Sequence, residues 1–182
     1  MIFLDNLGGL KRGRFWYNQI PFRVENRDKA LIGSFQHPNV QTVSAFQLCC
    51  EIALLPRDIN NYGLLGLEFS PIEGDFIQYE IPYLDHLGES LDDNVALKTD
   101  RVFIGIPREF AVVIKEVMEQ SKGLEIPVGK YSFVVSAHGL VGSSRAVFSK
   151  LASVLLQLAK LNPNVLDIAT MKSVIADEIK KT

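Results

Sequence analysis

"AHGLVGSSRAVF", residues 137–148, decides how this sequence folds. It stands between the strand-like run "YSFVVS" and the apolar stretch "AVFSKLASVLLQLAKL", so its glycines and paired serines fall where a strand hands the chain to a helix. A helix opening at such a turn presents unpaired backbone N–H groups and the positive end of its dipole. Gly139 and Gly142 admit close approach of a ligand, Ser143 and Ser144 offer hydroxyls, and Arg145 adds a cation. Together they form a candidate anion seat. A serine ahead of an apolar helix is also the ordinary N-cap, worth about 1 kcal/mol. Local chemistry favours the cap and leaves the phosphate seat open beside it. No Gly-Lys-Ser accompanies the turn, so it is not a Walker loop.

Outward from the strand and its turn, a helical pattern follows on one side and precedes on the other. Downstream, Val147, Leu151, Val154, Leu155 and Leu158 share one side and Phe148, Ala152 and Ala159 lie beside them, which predicts a mostly buried helix. Pro163 interrupts it, and "NVLDIATMKSVIADEIKK" predicts a last amphipathic helix with Leu166, Ala169, Val174 and Ile175 inward. Upstream, Pro107 marks a helix start, Phe110, Val113, Ile114 and Val117 recur at helical spacing, and Gly123 ends the segment. Residues 20–105 are harder to divide. "KALIGSF" reads as a strand, "QTVSAFQLCCEIALL" as a strand or a helix, and "GLLGLEFS" and "DFIQYEIPYL" as apolar runs bounded by turn residues. In the last, Phe76, Gln78 and Glu80 oppose Ile77, Tyr79 and Ile81. The acidic stretch "DHLGESLDDNVALKTD" predicts a solvated surface loop without Ca-loop spacing. The whole predicts one α+β domain over 1–182, with helices packed on one face of a mixed sheet and residues 1–26 as an N-terminal hairpin extension.

Composition bounds the function. Apolar residues make up 47% and charged residues 22% of the 182, and the net charge is −2. These values predict a soluble globular chain with no global attraction to polyanions. The start, "MIFLDNLGGLKRGRF", lacks the order of a signal peptide, and no apolar run reaches the roughly 20 residues that cross a bilayer. A cytoplasmic location is expected, with the nucleus as the alternative. Cys49 and Cys50 are adjacent, which disfavours a disulfide between them and reads as core thiols. A metal site would need a further ligand, for which His37 is the only candidate in that half. "GGLKRGRFWYNQ", residues 8–19, interleaves Lys11, Arg12 and Arg14 with Phe15, Trp16 and Tyr17. It suits base stacking and phosphate pairing, or a hairpin whose aromatics enter the core, and the hairpin is favoured.

The order strand, "GLVGSSRAVFSKLASVLLQLAKL", helix resembles the second motif of the GHMP kinases, a glycine-serine loop of the form P-x-G-x-G-L-G-S-S-A-A. "RDKALIGSFQHPN" distantly resembles that family's first motif, R-x-N-L-I-G-E-H-x-D-Y. The resemblance implies a ribosomal protein S5 domain 2-like fold and a loop, Gly139, Gly142, Ser143, Ser144 and Arg145, that would wrap ATP phosphates. Ser144 would sit where the family's last loop serine assists Mg²⁺. The sequence departs from the family at Ser34, Phe35, Ser136, His138 and Arg145, and it ends at "ADEIKKT", before the family's catalytic aspartate.

Those departures imply a GHMP-kinase-like module acting as a regulatory or partner-binding protein, with residual nucleotide affinity for ATP and Mg²⁺ at Gly139–Ser144 left open. An ATP-dependent small-molecule kinase, or the N-terminal fragment of one, is the alternative. "IGIPREFAVVIKEVMEQ" followed by "SAHGLVGSSRAVFSKLA" is also similar to the fourth domain of elongation factor G, which shares the fold. That resemblance implies an RNA-contacting domain with His138 at its tip. Expected partners are therefore a protein first, then a nucleotide, with nucleic acid behind them and no membrane.

Overall fold

The computed structural model describes residues 1–4, 7, 11–25, 29–37, 43–54 and 61–181. Among these, eight strands and three α-helices follow in the order β1 (Ile2–Phe3), β2 (Arg12–Tyr17), β3 (Ala30–Gln36), β4 (Phe46–Leu54), β5 (Asn61–Ser70), β6 (Phe76–Pro82), β7 (Val102–Ile104), α1 (Arg108–Gln120), β8 (Gly129–Gly139), α2 (Arg145–Lys160) and α3 (Ile168–Lys180). They form one mixed sheet in the order β1-β2-β4-β5-β8-β6-β3, with β7 on the far end of β8. Only β6 and β8 run parallel, and α1 lies between them in the chain, as a parallel pair requires.

In the ambiguous run at 41–55, Phe46–Leu54 is a strand because it lies mid-sheet with both faces covered. Leu48, Cys50 and Ile52 face one apolar cluster, and Cys49 and Ala53 face the other. A strand buried on both sides loses polar alternation, which is why its sequence also fits a helix. The two cysteines are both fully buried and free, on opposite faces of the sheet. In β6 the alternation is kept: Ile77, Tyr79 and Ile81 are buried, whereas Phe76 and Gln78 are exposed.

All three helices pack on one face of the sheet. α2 is the centre of that layer, with Val147, Leu151, Val154, Leu155 and Leu158 buried. It presses on β5 at Gly63, where a Cβ would lie 2.8 Å from Leu151 Cδ1. α1 buries Phe110, Ala111, Val113, Ile114 and Met118, and Val117 is half-buried at its margin. α3 turns further than its sequence pattern predicts: Met171, Ile175 and Ile179 are inward and Ala169 is exposed. The larger side chains take the core face, since Ala169 has little area to bury.

The opposite face corrects a second expectation. The acidic stretch 85–100 is not a free excursion. Its charged side chains other than Asp100 are exposed, but Ala96 is buried and Leu91 and Val95 pack with Ile20 and Phe22 over Trp16, Cys49, Tyr62 and Leu64. Backbone bonds from Leu91 N to Val102 O and Ile104 N to Glu89 O fix it in place. At the N-terminus, Ile2 pairs with Phe15 and Phe3 with Arg14, while β2 joins β4 from Arg12–Ala53 to Tyr17–Leu48. The glycines Gly8 and Gly9 read as its turn lie outside the described residues, as do Arg27, Asp28, Pro38 and Asn39 of the first-motif stretch.

Candidate functional site

The serine turn lies where its sequence placed it. β8 ends at Gly139 and α2 begins at Arg145, with Ser144 as N-cap in extended geometry. Ser144 Oγ accepts from Val147 N at 3.3 Å and donates to Asn61 Oδ1 at 3.0 Å. Ser143 Oγ accepts from Gly139 N at 2.8 Å and donates to the Tyr62 carbonyl at 2.7 Å. Both hydroxyls therefore brace the turn against the start of β5.

The amides of the turn ahead of the helix have internal acceptors. Leu140 N donates to Arg101 O at 2.9 Å. Val141 N and Gly142 N donate to the two carboxylate oxygens of Asp100, at 3.1 and 3.0 Å. With Gly139 N on Ser143 Oγ, each amide from 139 to 142 has a partner. The carboxylate of Asp100, supplied by the loop that crosses the second face, takes the amides of Val141 and Gly142. A Cβ at Gly139 would collide with that carboxylate and displace it. Arg145 points elsewhere, to Glu116 at 3.3 Å on the exposed side of α1. Asp100 carried no signal in the sequence, since an aspartate in a polar loop has many ordinary reasons to be there.

His138, immediately before this turn, is buried in β8 rather than carried on an exposed tip. It is 8% exposed, its Nδ1 lies 2.8 Å from Gly105 O, and its ring packs near Phe103 and edge-on to Phe110. Burial holds its pKa below the usual histidine value, against the upward pull of the Gly105 carbonyl, Asp100 and Glu109. Its ring helps line an open cleft of about 470 Å³ beside the start of α1, with Leu84, Asp85, His86, Leu87, Pro107, Arg108 and Glu109.

Two of the three aromatics of the basic-aromatic stretch are inside, and Tyr17 is half-buried. Phe15 and Trp16 are buried, and so is Arg14. Arg14 Nε donates to Glu51 Oε2 at 2.5 Å, and its Nη1 donates to Asp93 Oδ1 at 2.7 Å. Glu51 also accepts from Tyr62 OH at 2.8 Å and Val95 N at 3.1 Å. This network pins the acidic stretch to the sheet. Its one visible signal is a lone Glu51 inside the apolar run "QLCCEIALL".

His37 does not join a metal set: its Nε2 lies 2.7 Å from Leu124 O. Among the described residues no group of three or more His, Cys, Asp or Glu is arranged to hold a metal ion, and no helix is long and apolar enough to cross a membrane. No family model, curated protein or solved structure matches the chain.

Proposed function

We propose that this chain is a partner-binding module of the ribosomal protein S5 domain 2-like kind, resembling the GHMP kinases in layout and working without phosphoryl transfer. The parallel pair β6 and β8 with α1 between them, and the glycine-serine turn opening the buried α2, support the assignment of fold. The observation that carries the function is Asp100. A nucleotide phosphate would have to displace a carboxylate already held by two amides, and it would meet that negative charge on approach. Neither serine hydroxyl is spare, and Arg145 is paired outward. The RNA-contacting alternative has less support, because His138 is buried and two of the three aromatics of β2, Phe15 and Trp16, are in the core.

The surface that suits a protein partner is β3. It closes one end of the sheet among the described residues, and its sequence, "ALIGSFQ", has none of the lysines, prolines or charges that usually blunt an edge. Ile32 is 76% exposed on it. An uncharged extended segment of another protein, with an apolar residue opposite Ile32, would extend the sheet by one strand.

Thermal stability in Mg-ATP tests the reading. A ligand at about 100 times its Kd stabilises by about 2.7 kcal/mol, and no shift is expected at millimolar Mg-ATP. A shift that is lost in Ser144→Ala would overturn the proposal in favour of a nucleotide site.

A further inference from the structure

We propose that residues 92–99 are a lid, latched on the Arg14–Glu51 pair, that lifts to admit a short acidic segment of another protein in its place. The site lies on the second face of the sheet and rests neither on the β3 edge nor on the reading of the serine turn.

The lobe is folded on itself. Asn94 Nδ2 donates to Leu91 O at 2.6 Å, Ala96 N to Asn94 Oδ1 at 2.9 Å, and Asp100 N to Leu97 O at 2.9 Å. Its two ends are anchored close together. Leu91 N bonds Val102 O, and Asp100, two residues before Val102, bonds the amides of Val141 and Gly142. Between those ends, three hydrogen bonds among the described residues join the lobe to the sheet, all at the ion pair. Arg14 Nη1 and Nη2 donate to the carboxylate and the carbonyl of Asp93, and Glu51 Oε1 accepts from Val95 N. Of residues 92–99 only Ala96 is buried. A lobe with close ends, local bonds and little buried apolar area can open without global unfolding.

Lifting the lobe strands no charge. Glu51 keeps Arg14 Nε and Tyr62 OH, which come from the strands on either side of β4, and water replaces Asp93 and Val95. The surface left open holds Tyr62 and an arginine beside Trp16, its guanidinium 5.3 Å from the ring centroid. Arg, Trp and Tyr are the residues that most often anchor protein interfaces.

The lid itself is the template for the occupant. Arg14 turns both Nη groups to an acidic residue, and Glu51 turns Oε1 to a backbone N–H two positions on. The cluster of Trp16, Cys49, Tyr62 and Leu64 receives the small apolar Val95 and Ala96. An inorganic anion meets Arg14 but brings no donor to Glu51. A peptide with Asp or Glu, then apolar residues two and three positions later, meets all three.

Trp16 is the only tryptophan, so its emission reports on the lid. In native-state hydrogen exchange of the full chain, the Val95 amide should exchange through an opening that low urea does not accelerate. Central amides of β4 and β5 should exchange only through global unfolding. Asp93→Ala, at an exposed side chain, should speed the Val95 exchange by up to about fivefold. A synthetic peptide of residues 91–97, Leu-Asp-Asp-Asn-Val-Ala-Leu, is the probe of the uncovered site. The tethered lid competes at an effective concentration of about millimolar. The peptide should therefore shift Trp16 emission at millimolar concentration, and at a several-fold lower concentration in the Asp93→Ala protein. The same peptide with Ala for its second Asp should bind more weakly to both proteins. Exchange of Val95 only through global unfolding, Trp16 emission indifferent to the peptide, or equal binding of the two peptides would overturn the proposal.

Discussion

The carboxylate of Asp100 fits so closely beneath Gly139 that a Cβ at 139 would force it to move. One oxygen takes the amide of Val141 and the other that of Gly142, so a loop from one face of the sheet closes the turn that opens the helix on the other. The turn's shape and its occupancy are thus one feature.

That relationship predicts non-additive mutations. Gly139→Ala should cost roughly 1–3 kcal/mol, the range for forcing extra atoms into a packed site. Asp100→Ala should also destabilise, by leaving two amides without acceptors. The double variant should be less destabilised than the sum, with a coupling of at least about 0.5 kcal/mol, because the collision disappears with the carboxylate. Urea unfolding of the four proteins measures this, and strict additivity would contradict the placement of Asp100.

The helical half was legible because its signals are local. Pro107, the stripe from Phe110 to Val117, and Ser144 before Val147 each act within a few residues of themselves. The first half was not, because β4 and β5 are covered on both faces and their sequences keep no period. The acidic stretch misled for a related reason. Its composition is that of solvated chain, and the three apolar residues that hold it, Leu91, Val95 and Ala96, are spaced to suit a sheet surface rather than any periodic element. Of the candidate site, the serines and glycines could be read from sequence. Their partners Asp100, Asn61 and the Tyr62 carbonyl could not, since each bond spans some forty to eighty positions.

The network around Arg14 separates buried from exposed charge. Glu51 is fully buried and bound by Arg14, Tyr62 and Val95. Glu51→Ala leaves Arg14 buried without its main partner, and breaking such a pair costs about 3–5 kcal/mol. Asp93 meets the same guanidinium, but its side chain is 89% exposed. Asp93→Ala should therefore cost less than about 1 kcal/mol. Comparable losses for the two in chemical denaturation would refute the assignment of Glu51 as the buried anchor.

His138 gives stability a dependence on pH. In the unfolded chain it takes up a proton near 6.5, whereas burial lowers the pKa of the folded form. Between those two values the unfolded state binds more protons, so acidification favours unfolding. Stability should be full above the unfolded value and decline as pH falls from it toward the folded one. Gln at 138 has no titrating group and should flatten that segment of the curve. Urea midpoints measured across the window check it, and a wild-type curve parallel to that of His138→Gln would remove His138 as the cause.

The exposed edge can be tested residue by residue. Tyr83 N donates to Lys29 O at 3.0 Å and His37 N donates to Asp75 O at 2.6 Å, so residues 29 and 37 both turn their backbone toward the β6 side. Antiparallel alternation between them turns Leu31, Gly33 and Phe35 the same way and leaves the N–H groups of Ala30, Ile32, Ser34 and Gln36 pointing outward. The outward set should exchange its amide hydrogens faster, by on the order of a hundredfold. Binding of an uncharged extended peptide should slow that set selectively, and Ile32→Lys should abolish the effect by placing a charge against the incoming strand. Sedimentation distinguishes the occupant. A wild-type monomer fits a segment from another protein, whereas a dimer that Ile32→Lys dissociates would make the partner a second copy of this chain. Uniform protection along β3 in the free monomer would mean that the edge is already covered, and no strand could be added there.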